Sequence, residues 1–183
     1  MILWNRFKYV LSPQFDIYGE VSKVVRGRVA DIGFGTGFGT HLLSVNAKDV
    51  RAYEIDKDAI DFAEKVFPLP RLYFSYGDIM KGIDDGPFDF IIMIDVIEHL
   101  KYDKRVLENT KKILAQNGSL IISTPNRLSR YRVSANHIKE YAPKELLGLC
   151  KKVFLNVELK NHKLEPLVSQ YQNPMVAVCK NIS

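Results

Sequence analysis

Asp31-Ile32-Gly33-Phe34-Gly35-Thr36-Gly37-Phe38-Gly39-Thr40 follows an apolar run and opens a helix-like segment. A glycine-rich turn between a strand and a helix lets the backbone approach a ligand at the helix N-terminus. Four glycines within residues 33–39 cost backbone entropy and add nothing to a core, so a turn without a ligand accounts for them poorly. A dinucleotide fingerprint places glycine at the first, third and sixth positions. Counted from Gly33 the sixth residue is Phe38, and from Gly35 it is Thr40. A nicotinamide cofactor, and with it an oxidoreductase, therefore fits badly.

On both sides of this turn, strand-like runs alternate with helix-like segments. The candidate strands cover residues 29–32, 50–55, 71–75, 88–94, 119–123, 154–159 and 175–179. That alternation predicts an α/β fold, a Rossmann-like doubly wound sheet with helices on both faces. Residues 88–94 are apolar almost throughout, as suits a central strand buried on both faces. Val106, Leu107, Ile113 and Leu114 recur at helical spacing over 104–114, with Asn117-Gly118 as the expected stop. Pro143 opens a short helix at 143–147. Ile17, Val21, Val24 and Val25 form a helical stripe that packs on the sheet edge or serves as a lid over the ligand.

At 183 residues the chain reads as one domain spanning 1–183, with an N-terminal helical segment over 1–27 and a substrate-side insertion over 124–150. An apolar fraction of 46% and a charged fraction of 26% are those of a soluble globular protein, and no run approaches a membrane span. Met1-Ile2-Leu3-Trp4 gives way at once to Asn5, Arg6 and Lys8, too short for a secretory leader, so a cytoplasmic location is the default expectation. Cys150 and Cys179 read as ordinary thiols. The net charge of +5 is moderate; Arg127, Arg130, Arg132 and Lys139 gather in one irregular stretch, either as a solvated loop or as receptors for an anionic acceptor. Tyr73, Phe74 and Tyr76 read as sheet and core residues and give no argument for nucleic acid.

Asp31, Glu54, Asp78 and Asp95 each fall at or near the carboxyl end of a different candidate strand, the edge where open α/β sheets bind ligands. Four carboxylates would repel a pyrophosphate but suit a sulfonium, an ammonium and ribose hydroxyls. S-adenosylmethionine carries all three. Single carboxylates here can also be helix N-caps, as Asp56 and Asp103 suggest.

These residues resemble the class I S-adenosylmethionine-dependent methyltransferases, in the group that includes ubiquinone-biosynthesis O-methyltransferases. The matching stretches are 31–40, Tyr53-Glu54-Ile55-Asp56, Tyr76-Gly77-Asp78-Ile79, 89–100 and Ser123-Thr124-Pro125-Asn126-Arg127. The resemblance implies that Asp31, Gly33, Phe34, Gly35 and Gly37 hold the methionine portion. Glu54, with Ile55 and Asp56, would take the ribose hydroxyls, while Gly77, Asp78 and Ile79 border the adenine. Asp95 would sit beneath the sulfonium and face the acceptor. The same likeness implies seven strands with an antiparallel last strand, and O-methylation of a small-molecule, glycan or lipid hydroxyl.

Asp95, Glu98 and His99 share a face on one helical turn, and two carboxylates with an imidazole can hold a divalent metal such as Mg²⁺. With His137 the set resembles the metal site of small-RNA 3′-end 2′-O-methyltransferases, although Asp95 stands where those families have Glu. An RNA ribose methyltransferase is therefore an alternative, as is a non-catalytic cofactor-binding subunit. Without a metal, His99 or His137 can act as general base toward a hydroxyl. No residue names the acceptor or the oligomeric state.

Overall fold

The computed structural model describes residues 13–129 and 134–182. Seven strands form one sheet: β1 (Arg28–Ile32), β2 (Asp49–Glu54), β3 (Leu72–Tyr76), β4 (Phe88–Ile94), β5 (Leu114–Thr124), β6 (Asn156–Lys160) and β7 (Met175–Lys180). Their order is β3-β2-β1-β4-β5-β7-β6. The first five run parallel, and β7 is antiparallel to both β5 and β6, as the resemblance implies. The chain winds outward from β1 to β3 and then returns to β4 beside β1. Their carboxyl ends therefore flank a topological switch point, where such sheets leave a crevice.

Alternation along the central strands sorts the core into two layers. Ile91 and Met93 of β4, with Ala30 and Ile32 of β1, pack under α4 (Asp103–Ile113) and α5 (Pro143–Lys151). Ile92 and Ile94, with Val29, pack on the opposite face beneath α1 (Pro13–Val24), α2 (Phe38–Leu43) and α3 (Lys57–Val66). By the same alternation Asp31 points into this second layer, and that placement governs its chemistry. Asp56 caps α3, accepting the Asp58 N–H at 2.9 Å. Asp103 instead lies inside α4 and accepts from Lys139 and Tyr141.

Several expectations need correction. Asn117-Gly118 does not stop a helix: α4 ends at Ile113, and the pair lies within the extended β5, with Asn117 at φ 65° and its N–H on the Asn181 carbonyl. Ile17, Val21 and Val25 are fully buried, but Val24 is half exposed and outside the stripe. Residues 97–99 form a single 3-10 turn, and Asp95 precedes it at φ 53°, so Asp95, Glu98 and His99 are not consecutive positions on one α-helical face. Phe154 and Leu155 precede β6 instead of starting it. Tyr73 and Tyr76 are exposed, Tyr73 stacking on the Arg51 guanidinium, while Phe74 is core. Residues 1–12 of the expected N-terminal segment, and Arg130 and Arg132, lie outside the described residues. No described helix is long and apolar enough to cross a membrane.

Candidate active site

Two cavities meet at the switch point. One, of about 300 Å³, is walled by Glu54 and Ile55 after β2, Gly77 to Ile79 after β3, and Asp95 and His99 after β4. The other, of about 200 Å³, lies between the glycine turn and α1, walled by Phe34, Gly35 and Asp95 with Gln14, Phe15 and Tyr18 above. Gly33 and Asp95 belong to both, so the two are halves of one trough. A larger cavity of about 410 Å³ adjoins across Tyr53 and Gly77; two of its carboxylates are paired within the protein, Asp85 with Arg28 and Tyr53, and Asp78 with Lys81.

The glycine turn has the shape its composition demands. Gly33 is at φ 73°, and a Cβ there would come within 2.6 Å of Val96. Gly37, at φ 79°, leads into α2, and a Cβ on it would meet Ala63 at 2.8 Å. Glu54 ties the turn to β2. One carboxylate oxygen accepts the Gly35 N–H at 3.0 Å, and the other accepts the Ile55 N–H at 2.8 Å and the Asp56 N–H at 3.3 Å. Three amides thus fix a carboxylate on the wall of the larger half. Asp78 is oriented in the same way by the Met80 N–H, at 3.0 Å. Asp56, occupied as a helix cap, and Gly37 line neither half of the trough.

Asp31 lies below the trough surface instead of on it. Fully buried, it accepts from the Tyr18 hydroxyl at 3.0 Å and the Thr40 hydroxyl at 2.7 Å. Burial pushes its pKa up to about 7 against those two hydrogen bonds, with the nearby Glu54 charge adding to the rise. Asp95 occupies the junction. Its positive φ is uncommon for a residue with a side chain and is held by its N–H, which donates to both the carbonyl and the hydroxyl of Ser123. Its carboxylate accepts from the Ser123 hydroxyl at 2.7 Å and from the Gln14 amide at 2.8 Å.

Beside the junction lies a second polar cluster. Ligand-capable atoms of Glu98, His99 and His137 all fall within 4.8 Å of one another; Asp95 is not in this group. His99 meets the Asn136 carbonyl through Nδ1 at 3.0 Å, and His137 meets Glu140 through Nδ1 at 2.7 Å. A backbone carbonyl only accepts, which assigns the Nδ1 proton of a neutral His99, and a carboxylate does the same for His137. In that tautomer each Nε2 is the acceptor nitrogen of its ring. Glu98 is fully buried; one oxygen takes the Thr124 hydroxyl at 3.0 Å and the other, Oε1, has no hydrogen-bond partner. Burial, aided by the Asp95 charge, pushes the Glu98 pKa up to about 8.

The surroundings of this cluster are assembled from distant segments. The carbonyl of Glu98 receives the N–H groups of Ile138 and Lys139, which docks the loop carrying His137. Asn126, fully buried, gives its side-chain amide to the carbonyls of Gln170 and Gln172 and donates its backbone N–H to the side-chain oxygen of Asn173, so the β6–β7 loop is bound to the end of β5. Of the expected cationic cluster, Arg127 pairs with Glu145 and Lys139 with Asp103. Sequence reasoning missed Gln14 and Tyr18, which wall the smaller half of the trough, and Asn126 and Glu140, which hold the loops beside the histidine cluster. The helical stripe locates α1, but a lone Gln or Glu has no local signature.

Residues 30–122 match the family described as methyltransferase domain. A probable S-adenosylmethionine-dependent methyltransferase of Mycobacterium tuberculosis is 28% identical over 102 residues, 55% of this chain and 36% of that protein. The ubiquinone biosynthesis O-methyltransferase of Rickettsia prowazekii is 25% identical over 138 residues, 74% of this chain and 54% of that protein. The chain thus spans about a third to a half of these curated relatives' length. Among solved structures, an S-adenosylmethionine-dependent methyltransferase from Clostridium acetobutylicum superimposes with a TM-score of 0.77 at 14% identity, covering 99% of this chain and 100% of that one, a likeness of fold.

Proposed function

The chain belongs to the methyltransferase domain family, and we propose that it transfers the methyl group of S-adenosylmethionine to a hydroxyl oxygen of a small acceptor. The observation that carries this is the two-part trough meeting at Asp95. The larger half offers the fixed carboxylate of Glu54 to ribose hydroxyls and the Asp78–Ile79 corner to a base. The smaller half is sized for an amino-acid tail. A sulfonium at the junction lies beside Asp95, with His99 on the adjoining wall. The S–CH3 bond breaks as the O–CH3 bond forms in line, leaving S-adenosylhomocysteine. The acceptor's proton passes to a histidine Nε2 held ready by its anchored Nδ1. Because Arg127 and Lys139 are already paired with carboxylates, this reading does not rest on an anionic acceptor. Calorimetric titration with S-adenosylhomocysteine, run beside NAD and repeated with Glu54→Ala, tests the cofactor. One-site binding lost in the variant, with no heat from NAD, is the expected result; tight NAD binding or no binding of the homocysteine compound would overturn the reading.

A second reading of the histidine cluster has its own observation. One ligand-capable atom each from Glu98, His99 and His137 lies within 4.8 Å of the others, and the buried Glu98 carries an oxygen with no hydrogen-bond partner among the described residues, an arrangement that suits a cation or a shared proton. Glu98, His99 and His137 would hold a divalent ion, which would orient the acceptor hydroxyl and lower its pKa. Two imidazoles and one carboxylate suit Mn²⁺ or Zn²⁺ better than the all-oxygen preference of Mg²⁺. Equilibrium dialysis with Mn²⁺ is expected to load about one ion and to lose it in His137→Ala; equal loading of the variant would remove this reading and leave the histidines as bases.

A further inference from the structure

The smaller half of the trough poses a problem of charge. If the proposed cofactor is bound, its amino-acid end brings an α-ammonium and an α-carboxylate into a space of about 200 Å³. The ammonium is served by Asp95. Among the described residues no cation serves the carboxylate: none of those walling this half is Lys, Arg or His. The Tyr18 hydroxyl is committed to Asp31, the Gly35 N–H to Glu54 and the Gly37 N–H to the Phe34 carbonyl. Among the described side chains on the wall, the donors that remain are the Thr36 hydroxyl and the second N–H of Gln14, whose first N–H is on Asp95 at 2.8 Å.

Gln14 is placed to use that second N–H. It lies in the first turn of α1, partly buried, and the neighbouring Phe15 ring stacks on Phe38 with centroids 5.4 Å apart. Tyr18, one turn on, presses its ring against Gly39 so closely that a Cβ there would come within 2.3 Å. α1 is thus fixed over the trough at two points, and the amide it presents is neutral and carries two donors. We propose that Gln14 recognises the α-carboxylate of the cofactor's amino-acid end, keeping one N–H on Asp95 and giving the other to the ligand. In that position it also stands between two carboxylates that would otherwise repel each other. Gln14 is therefore a specificity residue for the amino-acid tail, contributed by an element outside the matched residues 30–122.

The inference rests on the cofactor assignment above, and the test separates the two. The full chain is titrated with S-adenosylhomocysteine and with 5′-methylthioadenosine, which keeps the nucleoside and the thioether but lacks the amino-acid end. Gln14→Leu keeps the bulk and removes the donors. It is expected to weaken S-adenosylhomocysteine about tenfold, the scale of one charge-assisted hydrogen bond, and to leave methylthioadenosine within about twofold. Gln14→Glu, which sets a third carboxylate between the other two, is expected to weaken it further. Equal losses for both ligands, or none for either, overturn the role of Gln14. Failure of the unsubstituted chain to bind S-adenosylhomocysteine overturns the cofactor assignment itself. Should the Leu variant melt early, the Glu variant with the same ligand pair decides alone.

Discussion

The two sides of the trough are built differently. The side proposed for the cofactor is made of short-range structure: a turn of seven residues, Glu54 at the last position of β2 and Asp78 two residues beyond β3, both oriented by backbone amides. The acceptor side is made of long-range contacts that join Glu98 to residues 138 and 139, and Asn126 to residues 170–173. Local geometry survives changes elsewhere in the chain, whereas a site assembled from remote loops can be re-aimed by altering any of them. The cofactor side should therefore fail through backbone strain and the acceptor side through lost side-chain clamps.

Gly33→Ala strikes the first kind of support. Left-handed backbone at φ 73° costs a residue with Cβ about 1–2 kcal/mol, and the methyl group would also collide with Val96. S-adenosylhomocysteine affinity is expected to fall by about 100-fold or more, since both halves of the trough share this residue; calorimetry measures it. Asn126→Ala strikes the second kind. It strips the partly buried loop carbonyls of Gln170 and Gln172 of their donor, at a cost of about 1–2 kcal/mol in urea unfolding. Affinity for S-adenosylhomocysteine should nevertheless stay within about twofold, and a large drop would erase the distinction between the two sides.

Glu140→Gln is a milder break of the acceptor side. It leaves His137 in place but weakens the hold on its Nδ1 proton, so kcat should fall about tenfold with cofactor affinity unchanged. Turnover assays with an identified hydroxyl acceptor read this directly.

Acidity probes the cofactor side. Asp31 titrates at about 7 in the folded protein and near 3.8 when unfolded, so the folded state holds the extra proton between those values. Its contribution to stability is complete below about pH 4 and is lost as the pH rises through 7. Melting temperatures across that window should decline less in Asp31→Asn than in the unsubstituted chain. A bound α-ammonium favours the ionised carboxylate, so S-adenosylhomocysteine should bind more tightly at pH 8 than at pH 6. The smallest effect belongs to Arg127→Ala. Its ion pair with Glu145 is half exposed, and its loss should cost less than about 0.5 kcal/mol in denaturant unfolding.

The same contrast decided what could be read from the sequence. Seven strands, the glycine turn and the Glu54 and Asp78 corners are legible because each is a local pattern. The burial of Asp31 depends on which face of β1 the helices α1 and α2 cover, a long-range matter, so a residue expected to touch ligand proves to brace the floor beneath it. Asp95 and Glu98 look like neighbours on a helix until the positive φ at Asp95 turns the chain. Gln14 lies 81 residues from the carboxylate it meets, and no spacing rule links the two.

The antiparallel pairing of β7 has a consequence for how such a protein can change. Because Met175 pairs with Thr124, the segment between β6 and β7 emerges on the ligand-binding edge of the sheet. There it joins the connection that follows β5. Lengthening either segment leaves the strand register untouched, and each doubling of a flexible loop costs only about 0.6 kcal/mol in closure entropy. Loops of different length can therefore be carried on this one edge while the glycine turn and the Glu54 corner stay as they are.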